Sequence, residues 1–329
     1  GAELSAQVSH VHVVAPVIVG QDFAGVCGGL IGEASLFVKM SECSLQEANI
    51  ELPRAEAVGG LVGHMMTSSS MHVAAFSGKI QGGAMVGGIA ASVDGDSPVR
   101  HAHVDADIAG ATIVGGIVGS SERAIIANNY VEGTLALAMA TEKGGVGGIV
   151  GALAADIMGQ ATDAIVYDNI VALQSIQAPQ GAIAHRVVGF SSCNDYEYDW
   201  DNVDWSKPQS EWPRAYFAPE KNFKNNYVIS DLAALDATVQ LTDTTTEGAT
   251  LAWSEVTTAW LGEHGYKLGT SVDAPWVYGE QLTLWFESEL ETGVEDIFGG
   301  NCGDILGSGK QSAKKIIIDG QMYILRYDG

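Results

Sequence analysis

The sequence predicts an all-β protein: a right-handed parallel β-helix of about six coils, with a repeat of 28–38 residues. Three observations carry this. A glycine-rich box recurs at near-constant spacing. The segments between boxes are apolar and β-branched. The composition changes abruptly near residue 190, where the repeats stop.

The box Val26-Cys27-Gly28-Gly29-Leu30-Ile31-Gly32 returns as Val58-Gly59-Gly60-Leu61-Val62-Gly63 and Val86-Gly87-Gly88-Ile89-Ala90-Ala91. It returns again as Val114-Gly115-Gly116-Ile117-Val118-Gly119 and Val146-Gly147-Gly148-Ile149-Val150-Gly151. The glycine pairs are 31, 28, 28 and 32 residues apart. An eroded sixth copy, Arg186-Val187-Val188-Gly189, has Arg186 at the second glycine position. A fixed period of this length marks stacked supersecondary units.

Residues 71–80, 99–108, 124–135 and 164–176 fill the gaps, and 99–108 alternates as a half-buried strand does. Asn128-Asn129 suits a tight bend. Glycine-rich boxes make poor helices, so each repeat reads as one coil of two or three short strands. Parallel crossovers are right-handed in the great majority of folds, which sets the expected hand. Cys27, Val58, Val86, Val114 and Val146 should form one inward column, and Leu30, Leu61, Ile89, Ile117 and Ile149 another. The paired glycines have two readings: bends that need φ > 0, or a flat face on which another segment packs. No copy has the phosphate-cradling G-x-G-x-x-G pattern or a Gly-Lys-Ser/Thr ending.

The boxes resemble GLUG-motif repeats, named for the Gly-Leu-any-Gly core seen in Gly60-Leu61-Val62-Gly63, over about residues 20–190. The third copy departs with Ala90-Ala91, and the sixth is eroded. Proteins with this repeat are mostly secreted or surface-attached bacterial proteins, including adhesin-like chains and the non-catalytic part of certain immunoglobulin-cleaving metallopeptidases. The resemblance therefore implies an extracellular or cell-surface protein. Its export signal is not in this chain, since Gly1-Ala2-Glu3-Leu4 offers neither a basic region nor an apolar core.

Charge and composition narrow the function classes. Sixteen Lys and Arg face 40 Asp and Glu, a net of −24, so a phosphate backbone is repelled and nucleic acid is not an expected partner. No run of apolar residues is long enough to span a membrane. The four cysteines, Cys27, Cys43, Cys193 and Cys302, are far apart and read as isolated thiols.

Residues 1–189 form the repeat unit, 190–298 an aromatic and acidic capping region that continues or closes the helix, and 299–329 a Gly-rich linker with a hairpin tail. All seven Trp and eight of the ten Tyr lie beyond residue 190. The open end of a β-helix exposes an apolar cross-section and strand edges. Trp200, Trp205 and Trp212, directly after the last box, are therefore expected to be mostly buried against the last coils. Phe223-Lys224-Asn225-Asn226-Tyr227-Val228 resembles one more coil edge. Lys314 to Leu325 reads as two apolar runs around Asp319-Gly320, a hairpin signature. It resembles a small C-terminal sorting or anchoring module; the resemblance implies a continuation after the Tyr323-Ile324-Leu325 strand, and the chain stops four residues after Leu325, so a truncated module is the expectation.

Candidate sites are few. In an extended chain Asp195, Glu197, Asp199 and Asp201 share one face, opposite Tyr196, Tyr198 and Trp200. Carboxylates so placed could hold Ca²⁺, yet no EF-hand or RTX spacing occurs, and a solvated acidic face is the preferred reading. His101, His103, Asp105 and Asp107 alternate on one strand and His10 and His12 form a similar pair; both are read as polar outer faces rather than metal sites. No His-Glu-x-x-His or Gly-x-Ser-x-Gly is present. Asp94 and Asp96 flank Gly95 in an expected turn. The expectation is a non-enzymatic protein without cofactor or metal, contacting a glycan or host surface protein through Tyr196, Tyr198, Trp200, Trp205, Asp199 and Asp201. The alternatives are a β-helix glycosidase or lyase, and a structural spacer.

Overall fold

Each repeat contributes three strands, and the repeats stack into three parallel sheets that form a β-solenoid. The computed structural model describes residues 5–94, 97–122, 124–154, 165–192, 196–216, 222–229 and 232–287, and the backbone of Ala313–Ile318 and Gln321–Arg326. The side chains of Tyr196, Glu197, Trp200, Ala215 and Tyr216 lie outside that description. Six boxes span about five turns.

The long sheet stacks Gln7–Val14, Lys39–Glu51, Ser70–Gln81, Val99–Gly110, Tyr130–Leu137 and Ile170–Gln177 in parallel register. The second sheet begins with Val26–Gly28, Ala57–Gly59 and Met85–Gly87, and the third with Ile31–Ala34, Val62–Met65 and Ala90–Asp94. The box is thus the corner between the second and third sheets. Its valine column pairs residue for residue: Cys27 with Val58, Val58 with Val86, Val86 with Val114, and Val114 with Val146. The next column follows, with the Leu30 amide donating to Leu61 and those of Leu61, Ile89 and Ile117 to the coil beyond. Val58, Val86, Val114 and Val146 are fully buried.

The paired glycines answer to close approach. None of them has positive φ. A Cβ on Gly60 would strike the Gly88 carbonyl of the next coil, and one on Gly59 the Val62 carbonyl of its own corner. Positive φ occurs elsewhere, and one residue per coil forms a positive-φ column in the long sheet: His10, Glu42, Val73, His101, Asn128, Asp168 and Asn225, with φ between 52° and 59°. There the chain turns a corner, and the following residue points inward. In the last three coils that inward residue is asparagine. Asn129 Nδ2 donates to Asn169 Oδ1 at 3.0 Å, Asn169 Nδ2 to Asn226 Oδ1 at 3.0 Å, and Asn226 Nδ2 to the Val166 carbonyl at 2.8 Å. This ladder satisfies polar groups that the core would otherwise strand.

The stack runs beyond residue 189. Phe223–Lys224 and Tyr227–Ile229 pair with Val166–Tyr167 and Ile170–Gln177, and Ala249–Leu251 adds one more rung. The end is closed by an ion pair. Arg186 can carry a side chain where every earlier box needs glycine, because no further glycine box lies on it. It is 1% exposed and donates to the carbonyls of Leu232, Glu247 and Gly248, while its Nε lies 3.2 Å from Glu247 Oε2. Glu247 also meets His185 Nδ1 at 3.1 Å.

The expected tryptophan cap is corrected. Trp205 is 70% exposed and Trp212 half-buried. They belong to an excursion in which Tyr196–Tyr198 pairs antiparallel with Arg214–Tyr216. The buried aromatic residues come later and cover the side of the solenoid. Residues 252–287 lie along the outer face of the long sheet, where Val256, Leu261, Tyr266, Trp276, Leu282, Leu284 and Phe286 form a second core with Val73, Ala75, Tyr130 and Ile170. The hairpin forms as expected, Ala313–Ile318 with Gln321–Arg326, and pairs antiparallel with the first strand of the long sheet.

Candidate functional site

Two arrangements of chemistry-bearing side chains stand out, one exposed and one covered. The exposed one is the 196–216 excursion. Tyr198 and Trp212 meet edge to face at 5.4 Å, Trp212 and Trp205 at 5.0 Å, and the Arg214 guanidinium lies 5.9 Å over the Tyr198 ring. Trp212 Nε1 donates to the Lys207 carbonyl, which fixes its ring. Tyr198 is 6% exposed, so it supports the patch from beneath and does not display its ring, contrary to the sequence expectation. The displayed ring is Trp205. The side chains of Tyr196 and Trp200 lie outside the described residues.

The acidic alternation expected over 195–201 is broken between Asp199 and Asp201. Residues Tyr196–Tyr198 are extended, but Trp200–Asn202 is a 3-10 turn, which rotates Asp201 out of the alternation. Asp199 accepts from Asn202 Nδ2 at 2.8 Å, and Asp201 is exposed. Asp195 lies outside the described residues, as does Asp96 of the Asp94/Asp96 pair. Among the described residues no group of three or more His, Cys, Asp or Glu side chains is arranged to hold a metal ion. Cys27 and Cys43 are free thiols; burial pushes both up, Cys43 to about 11. Cys193 and Cys302 lie outside the described residues.

The covered arrangement centres on His103. The sequence placed it on a solvated face with His101, Asp105 and Asp107. The left-handed turn at His101 interrupts that face, and the 252–287 segment covers His103 to 5% exposure. Its Nδ1 lies 2.8 and 2.9 Å from the two Glu287 oxygens, and its Nε2 lies 3.4 Å from Glu132 Oε2. Burial pulls the imidazole down, but Glu287 and Glu132 overcome it and hold His103 up at about 10. Both carboxylates are themselves held: Tyr130 Oη donates to Glu132 at 2.7 Å, and the Leu284 amide to Glu287 at 2.6 Å. The ring stacks on Tyr130 at 5.2 Å, and Tyr130 on Trp253 at 6.1 Å.

Sequence reasoning passed over Tyr130 and Glu132, which stand one coil beyond His103 and Asp105 in the register and were reachable from it. Glu287 carried no such signal, being 184 residues away. Among the described residues no helix is long and apolar enough to cross a membrane. Comparison of the chain with protein-family models, with curated proteins and with solved structures found no match.

Proposed function

We propose that this chain is a non-enzymatic bacterial surface or secreted protein of the GLUG-repeat kind, in which a rigid solenoid carries a contact site for a glycan or host surface protein. The observation that carries the reading is Trp205, an indole 70% exposed and set edge to face on Trp212. A large aromatic ring held open to water while its neighbours are anchored is the arrangement that stacks on a sugar face. Its supports, Trp212 and Tyr198, are half-buried or buried, so little side-chain entropy is lost on binding. The acidic surface keeps the rod soluble and turns away anionic partners.

The non-enzymatic part of the reading is supported by the His103 cluster. Both ring nitrogens are engaged by carboxylates beneath a covering segment, which leaves neither free to take a proton from a substrate.

A glycan array on the intact chain tests the proposal. Binding to one or more glycans is expected, and Trp205→Ala should weaken it about 30-fold, the loss typical of a binding hot spot. Binding that is unchanged in Trp205→Ala would remove the site. Release of reducing ends or unsaturated sugars from a polysaccharide panel would replace the reading with the glycosidase or lyase one.

A further inference from the structure

Histidine is unevenly placed in this chain. Of the eight, five (His12, His72, His101, His103 and His264) contact the 252–287 cover or lie within it. On the long sheet His12 meets it from Gln7–Val14, His72 from Ser70–Gln81, and His101 and His103 from Val99–Gly110. The His12 ring packs 4.8 Å from Phe286, and its Nδ1 shares a 2.8 Å hydrogen bond with Ser44. His72 Nε2 lies 3.3 Å from the Val272 carbonyl. His101 Nδ1 accepts from Trp276 Nε1 at 3.1 Å, and its ring meets His72 edge to face at 5.0 Å.

The His101 contact requires a neutral ring, and burial disfavours the charged ring at His12 and His72. An imidazolium at His101 would aim an N–H at the Trp276 N–H, beside His72, Arg100 and Lys267. One at His12 would be half-buried beside His10. Burial and the Arg100 cation disfavour a charged His72, opposed by the Val272 carbonyl, Asp273 and Glu42. His103 is the opposite case, a cation held between Glu132 and Glu287 with Asp105 nearby.

We propose that residues 252–287 are an acid-released cover: protonation of His101, His72 and His12 lifts the segment from the long sheet and bares the aromatic face formed by Tyr130, Tyr266 and Trp276. Burial, then neighbouring cations, lowers His101 to about 3, and burial, then His10, lowers His12 to about 4. Burial lowers His72 as well. A group lowered in the closed form supports closure fully above its free value, about 6.5, and loses that support as pH falls. Each such imidazole favours opening about tenfold per pH unit below that value. The His103 latch has the reverse sign. Its support is complete below about 6.5 and falls progressively as pH rises from there through about 10, so it does not drive opening in acid and is constant below about 6.5, where the other three act.

Hydrogen exchange of the full chain between pH 7.5 and 4.5, corrected for the intrinsic pH dependence, tests this, with tryptophan fluorescence as a second signal. Protection of amides in 257–284 should fall at least tenfold by pH 4.5 and recover on neutralisation, while the Val58, Val86 and Val114 amides stay protected. The variant His12→Gln/His72→Gln/His101→Asn should remain closed at pH 4.5. Asparagine suits position 101 because the neighbouring coil places Asn128 at the same left-handed corner. If the triple variant does not fold, His101→Asn alone should still move the transition to lower pH. Unchanged protection in the parent at pH 4.5, loss of solenoid protection in step with the cover, or an unmoved transition in the folded variant would each overturn the proposal.

Discussion

The solenoid and its lateral cover bury aromatic and aliphatic side chains to similar depth by different means. In the solenoid every apolar residue has a near-copy of itself above and below, so Val86 sits between Val58 and Val114 and all three are fully buried. In the cover Trp276 has no copy. It is equally buried, but against Tyr266 of the cover itself and His101, a coil residue 175 positions earlier. Repetition makes burial cooperative along the stack, whereas single contacts make it local. The first region should fail as a whole and the second should detach by itself.

Val114→Asp is expected to have the largest effect. It places an unpaired carboxylate in the central column and should abolish the folded far-UV signal of the chain. Trp276→Ala, by contrast, should cost about 3–5 kcal/mol within the cover. Urea unfolding should then separate into two transitions, and a single shifted transition would erase the distinction between the regions.

Glycine gives a finer contrast within the stack. A Cβ at Gly63 would strike the Gly32 carbonyl and the Val26 side chain of the preceding coil. At Gly32, in the first coil, the nearest atom is the Val26 carbonyl oxygen at 3.8 Å. Gly63→Ala should lower stability by about 2 kcal/mol or more, while Gly32→Ala should stay within about 0.5 kcal/mol. Equal losses would mean that the glycines serve their own corner rather than the coil beside them.

His103→Gln should have a smaller and pH-dependent effect. Because His103 is raised to about 10 in the closed form, its support is fully present below about 6.5 and fades as pH rises through 10. Exchange of the cover should therefore be faster in the variant at pH 7 and converge with the parent near pH 11. Smallest of all is Arg54→Ala. Its 2.9 Å pair with Asp22 is highly exposed on both sides, and the thermal midpoint should move by no more than the assay scatter.

The solenoid was legible from spacing because its contacts are periodic. A glycine pair every 28 to 32 residues places each valine on the next, and register does the rest. The extra rung at residues 223–228 was legible for the same reason, and so was the hairpin around Asp319-Gly320, whose contacts are local. The asparagine ladder was half legible. Asn128-Asn129 announced a bend, but the inward hydrogen bonds of Asn129 to Asn169 and Asn226 depend on knowing that the three corners stack.

Tertiary structure alone decided where the aromatic residues went. Composition placed all seven Trp and eight of the ten Tyr after residue 190, and the open end of the stack seemed the surface in need. The end is instead closed by Arg186 and Glu247, a pair 61 residues apart whose guanidinium caps carbonyls, while Trp253, Trp260 and Trp276 lie along the side. Which surface a segment covers depends on where its chain re-enters the fold and which face there is apolar. The outer face of the long sheet is apolar at Val73, Ala75, Tyr130 and Ile170, residues that alternation alone would have turned to solvent. His103 follows from the same fact. Its position on the strand was set by sequence, but its charge was set by Glu287, brought across 184 residues by a cover with no repeat to announce it.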